Sequence, residues 1–359
     1  MIPAHPDPLG PPAAAGDPVE SIARAVLYEG YVLWPYRRSA VKNQRRWTFG
    51  GVYPRGFCET AAEGDASEVR CEALLEVDAE GDATTRVAVE LRFLHVVHRQ
   101  ALAVERRDLR PVDRLEAGAE SHLTWDEASE RRHVLPEAEI GALLAWPIEE
   151  TLEVPAGGDL EQVWNAAGGL AGVLERTWQG VEATVRVAAE PLGGRLHRIS
   201  ATVANASAWR GGDRTEAQRR SLVSTHLVLR VRGGAFHSLA DPPGHLAEAA
   251  AGCRNLGVWP VLVGEPGARD TLLASPIILE DHPRIAPESP GDLFDGGEID
   301  QLLVLNILTL TDEEKREMAA TDSRAREILE RTEGLGPEEL MRLHGAFRDP
   351  RGPLARRGP

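Results

Sequence analysis

The stretch "TTRVAVELRFLHVVHRQALAVE", Thr84 to Glu105, decides the fold. Its residues alternate in character with a period of two and no Pro or Gly interrupts them, the pattern of a β-strand. The preceding stretch "EVRCEALLEVD" (Glu68–Asp78) alternates in the same way, and "DAEGD" (Asp78–Asp82) supplies a turn between them. His95 and His98 sit three apart on the strand, so their side chains point to opposite faces and do not share a metal.

Outward from that strand the pattern stays β. "HLTWDEASERRHVL" (His122–Leu135) reads as a hairpin with the polar "DEASE" at its tip, and "IGALLAWPIEETLEVP" is mixed. A second β-rich block runs from Ala171 to Leu239, with Leu192-Gly193-Gly194-Arg195 as the turn of a hairpin. "LGVWPVLVGEPG" and "DTLLASPIILED" add two short strands. His226 and His237, among Ser and Thr neighbours, read as hydrogen-bonded core histidines, and Cys253 near Trp259 reads as core.

After Gly291 the period changes to helical. "EIDQLLVLNILTL" carries an apolar stripe, Thr311 and Glu314 form a capping box for "DEEKREMAA", and helices are expected at "SRAREILERTEG" and "PEELMRLHGAF". These readings predict an α+β protein with a β-rich body of antiparallel sheets, arranged as two sandwich-like blocks in one version, and a helical C-terminal section. The expected divisions are a disordered arm over 1–16, a first unit over 17–150 and a second β-rich block over 151–290. Helices then occupy 291–348, and a flexible tail 349–359.

The chain has 359 residues, 42% apolar and 27% charged, which fits a globular protein with ample core material. No apolar run reaches the length of a membrane span, and no signal segment opens the sequence, so a cytoplasmic location is expected. Cys58, Cys71 and Cys253 form no metal-type pair and read as reduced, structural thiols. The formal charge of −16 argues against a general nucleic-acid or membrane-surface binder, because most of the surface would repel phosphate. Phosphate-loop, dinucleotide, zinc-protease and serine-hydrolase motifs are missing from the sequence.

Against that acidic background one segment is basic. "YRRSAVKNQRRWTFGGVYP" (Tyr36–Pro54) holds five cations and no acid, and all four tyrosines lie between residues 28 and 53. Guanidinium groups beside aromatic rings suit recognition of carboxylate or phosphate. Tyr36, Arg37, Arg38, Lys42, Asn43, Arg45, Arg46 and Trp47 are therefore the candidate binding residues for an acidic partner or an anion. The competing reading packs the rings on the β-core and pairs the arginines with the chain's own acids.

A second segment, "SPIILEDHPRIAPESPGDLFDGGEID" (Ser275–Asp300), crowds carboxylates and one histidine into a Pro- and Gly-rich loop. Asp281, His282, Asp292 and Asp295 are the candidate ligands for a divalent metal. Turn-capping and helix-capping carboxylates would give the same composition.

"YVLWPYRRSAVKNQRRWTFGGVYP", "SPIILEDHPRIAPESPGDLFDGGEIDQLLVL" and "LTLTDEEKREM" resemble a bacterial protein family found beside the genes of uptake-type nickel–iron hydrogenases, their maturation factors and iron–sulfur proteins. The resemblance covers about residues 20 to 345 and brings no activity and no catalytic residue with it. It implies a non-enzymatic accessory protein for hydrogenase assembly or maturation, whose partner is a hydrogenase subunit or maturation factor. The alternative is a metal carrier or an enzyme that uses the acidic loop at 280–300.

Overall fold

The Thr84–Glu105 stretch contains one uninterrupted strand, β2 (Arg86–Glu105), on the order of 60 Å long. The structure is a computed structural model that describes residues 18–27, 50–61, 64–106, 108–118, 120–284, 307–321, 323–334 and 336. Strand β2 is the spine of the larger sheet, whose order is β15 (Trp259–Leu262), β16 (Thr271–Ser275), β13 (Val223–Arg232), β2, β10 (Leu170–Trp178) and β9 (Gly157–Trp164). Its other edge is taken in turn by β7 (Ala138–Glu139), β6 (Trp125–Val134) and β3 (Asp108–Val112). The smaller sheet is antiparallel in the order β14 (Gly234–His237), β1 (Glu68–Val77), β12 (Leu196–Asn205), β11 (Val181–Gly193) and β8 (Ile148–Val154).

Alternation explains how the layers stack. Val87, Val89, Leu91 and Phe93 project from one face of β2 and meet Val69, Cys71, Ala73 and Leu75 of β1 and Val181, Ala183 and Val185 of β11 in a shared core. The two sheets are thus the halves of one sandwich. Each takes strands from both β-rich blocks of the sequence, so the blocks interleave and do not form a sandwich apiece. Antiparallel pairing joins partners far apart in the chain, and local periodicity carries no information on which strands pair.

The opposite face of β2 begins with Ala88, Glu90, Arg92, Leu94 and Val96. Helix α1 (Pro18–Leu27) covers part of it, packing Val19, Ile22, Ala23 and Val26 on Val228, Val261 and Leu273. Two further helices near the C-terminus, counted here as α6 (Asp312–Thr321) and α7 (Ser323–Glu333) after the short helices α2 (Arg55–Cys58), α3 (Ile140–Ala145), α4 (Arg214–Gln218) and α5 (Ala247–Ala251), seat Met318, Ala325, Ile328 and Leu329 on Leu94 and Val96. The capping box forms as its residues require: the Glu314 amide donates to Thr311 Oγ1 at 3.3 Å, and the Thr311 amide to Glu314 Oε2 at 2.9 Å. None of the described helices is long and apolar enough to cross a membrane.

The hairpin turn at Gly193–Gly194 joins β11 to β12, with φ of +116° and +58° that side chains with a Cβ rarely adopt. The region read as a hairpin with its tip at Asp126–Glu130 is instead the single straight strand β6. Its acids tolerate a strand interior because cations face them. Glu127 bonds Arg99 of β2 and Arg176 of β10, and Asp126 bonds His98 and Arg219. The three thiols are free; burial pushes the pKa of each upward, which keeps them protonated.

Candidate functional site

Beyond Val97 the long strand leaves the sandwich, and its two faces meet different fates. "ALAV" (Ala101–Val104) is apolar on both faces, the composition of a strand covered on both sides. On one face Ala101 packs with Leu174, Val163 and Leu115, beneath the hairpin of β4 (Arg114–Ala117) and β5 (Glu120–Leu123). On the other face, register places Leu102 beside Pro111 and Val173, and Val104 beside Leu109. Leu160 and Trp164 of β9 share that face by alternation from Gln162, the partner of Val173. Leu109, Leu160 and Trp164 are 47%, 64% and 55% exposed, and Val104 is 39% exposed. These apolar residues share one sheet face bounded by β3 and β9, the outer strands of the sheet here, with Gln162 set between Leu160 and Trp164.

A second feature lies at the open side of the sandwich, between β6 and β8. A cleft of about 380 Å³ opens there, floored by Phe93 and walled by Leu152, Val154, Pro155 and Trp178. Trp178 donates its indole N–H to Pro155 O at 3.1 Å and lies so close over Gly157 that a Cβ there would fall 2.6 Å from the ring. Arg131, the register partner of Phe93, also lines the cleft. Its neighbours along β6 and β2 are neutralised: Arg132 donates to Glu90 at 2.8 Å, Arg92 pairs with Glu90 and Glu20, and Arg99 pairs with Glu127. Arg131 has no carboxylate and no hydrogen-bond acceptor among the described residues, and its Nε is buried without a partner. Burial alone depresses its pKa. The charge persists, since a guanidinium keeps its proton in any protein site.

Below it, fully buried His95 hydrogen-bonds Gln179 O at 2.9 Å through Nε2. Burial, aided by the Arg131 charge, pushes its pKa down to about 4, so it is neutral near pH 7. His98 does face the other way, with Nδ1 2.6 Å from Asp126 Oδ1. His226 is a buried core histidine whose Nδ1 lies 2.6 Å from Ser224 O, and His237 sits 3.1 Å from Glu76. Asn205 is buried, donating through Nδ2 to Val52 O and Arg220 O at 2.8 Å each.

Of the sequence candidates for metal, Asp281 and His282 are placed. Asp281 accepts from Ser238 Oγ at 2.5 Å and from the Leu262 amide at 2.8 Å, and the His282 amide donates to Leu262 O at 2.7 Å. Asp281 thereby ties the end of β15 to Ser238, the residue that follows β14. Asp292 and Asp295 lie outside the described residues, as do the basic-segment candidates Tyr36, Arg37, Arg38, Lys42, Asn43, Arg45, Arg46 and Trp47. Among the described residues no three His, Cys, Asp or Glu side chains gather closely enough to hold a metal ion.

Periodicity did not single out Arg131, Phe93, Trp178 or the Leu160–Trp164 face. The one sequence signal for the latter was the two-sided apolar run at Ala101–Val104. No protein-family model matches the chain, and no curated protein matches it.

Proposed function

We propose that the chain is a non-enzymatic accessory protein that binds another protein in the assembly or maturation of an uptake-type nickel–iron hydrogenase. The observation that carries the binding half is the exposed face built by Leu102, Val104, Leu109, Leu160 and Trp164. A strand composed for burial on both sides has its second cover supplied by a partner. Trp164, on the bounding strand β9, is the residue type that most often anchors such contacts. The hydrogenase half rests on the resemblance of the three quoted segments. Tyr36, Arg37, Arg38, Lys42, Asn43, Arg45, Arg46 and Trp47 supply a second, charged contact that steers an acidic partner toward this otherwise acidic chain.

Affinity capture from a bacterium that expresses such an enzyme tests this directly. A tagged chain enriches a hydrogenase subunit or maturation factor, and the Leu160→Asp/Trp164→Asp double variant recovers at most about a tenth as much, the effect of roughly 1.4 kcal/mol in binding. Both substitutions fall on exposed positions, so the melting temperature stays near that of the wild type. Equal recovery by the double variant puts the contact elsewhere. An eluate without hydrogenase proteins defeats the assignment.

A further inference from the structure

We propose that the cleft between β6 and β8 binds a carboxylate carried on an apolar body, with Arg131 taking the carboxylate and Phe93, Leu152, Val154 and Trp178 enclosing the rest. This stands apart from the accessory reading and holds whether or not that reading does.

Three observations carry it. First, the chain has 56 acidic residues to 40 basic ones, so carboxylates are in surplus. Arg92, Arg99, Arg132 and Arg176 each have one, and Arg131 has none among the described residues. Leaving a half-buried cation and its Nε unsatisfied costs free energy that most proteins avoid, and a ligand anion removes that cost. Second, the cleft is within the size range of small-molecule sites and combines apolar walls with one convergent charge. Third, the neighbouring titratable groups leave room for one negative charge only. His95 is neutral, and His133 is engaged with Glu150 at 3.1 Å. Glu153 lines the cleft without pairing to Arg131 and repels a multiply charged ligand. A phosphate dianion would ask for several donors, whereas one guanidinium matches one carboxylate in a two-pronged hydrogen bond.

The carboxylate has two available sources, the C-terminus of a peptide ending in an apolar residue or a free aromatic or branched-chain acid. Tryptophan fluorescence and calorimetry on the full chain separate them. The probes are 3-phenylpropionate and an acetylated tetrapeptide ending in Val-Leu, each beside its C-terminal amide. At least one acid binds, its amide binds about tenfold or more weakly, and Arg131→Gln lowers the acid's affinity by a similar factor. A preference for the peptide assigns a protein terminus, and a preference for phenylpropionate assigns a small acid. Because Arg131 has no partner to lose among the described residues, Arg131→Gln also keeps or raises the melting temperature. Equal binding of acid and amide, no binding of either acid, or a markedly destabilised Arg131→Gln protein overturns the proposal.

Discussion

Glu90→Gln is expected to lose about 3–5 kcal/mol of stability, the usual consequence of removing one partner from a buried ion cluster. Glu90 is 3% exposed and pairs with Arg132 and Arg230, and it shares Arg92 with Glu20 of α1. Arg92 is itself buried, and the Glu20 carboxyl is held below its ordinary pKa chiefly by its hydrogen bonds to Arg92. The cluster therefore ties α1 to the middle of β2 and β13, and its neutralisation leaves guanidinium groups with too little negative charge under the helix. The exposed pair Arg86–Glu139 on the same sheet is the control, since both side chains are near half exposed. Glu139→Gln there costs less than about 1 kcal/mol. Urea unfolding of the two variants measures the contrast. A Glu90→Gln protein within about 1 kcal/mol of wild type would contradict the role given to this cluster.

Acid is expected to weaken the fold well above the carboxylate range. His95 and His226 are buried, and burial first, then a neighbouring arginine, lowers each pKa to about 4. The unfolded value is about 6.5. Between those limits the unfolded chain binds a proton at each position and the folded chain does not, so stability rises with pH. The contribution is complete above about pH 6.5 and is lost as the pH falls toward 4, by roughly 3 kcal/mol for each histidine. Denaturation curves collected across that window report the slope. His226→Gln removes about one proton from it, and an unchanged slope would show that His226 is protonated in the native state.

Much of the architecture was legible because it is written in short-range pattern. Alternation gave β1 and β2, the Gly193–Gly194 pair gave the β11–β12 hairpin, and Thr311 with Glu314 gave the start of α6. Period two also placed His95 and His98 on opposite faces. What escaped was set by partners distant in sequence. The acids at Asp126–Glu130 read as a hairpin tip because their cations, Arg99, Arg176 and Arg219, come from other strands and from the turn after α4. The interleaving of the two β-rich blocks is likewise a matter of pairing, which local composition does not encode. Arg131 could not be told from Arg132 next to it, since the difference is that Glu90 pairs with one and, among the described residues, no acid pairs with the other. Asp281 stood out as one acid among many, and its engagement with Ser238 and the Leu262 amide depends on the fold bringing them together.

Hydrogenase maturation in a strain lacking this chain tests the central claim most directly. Deletion is expected to lower hydrogen-uptake activity and the amount of mature enzyme, with recovery on supplying the wild-type chain. The Leu160→Asp/Trp164→Asp chain, folded and equally abundant, is expected to leave the defect in place. Full activity in the deletion strain, or full rescue by the double variant, would contradict the account.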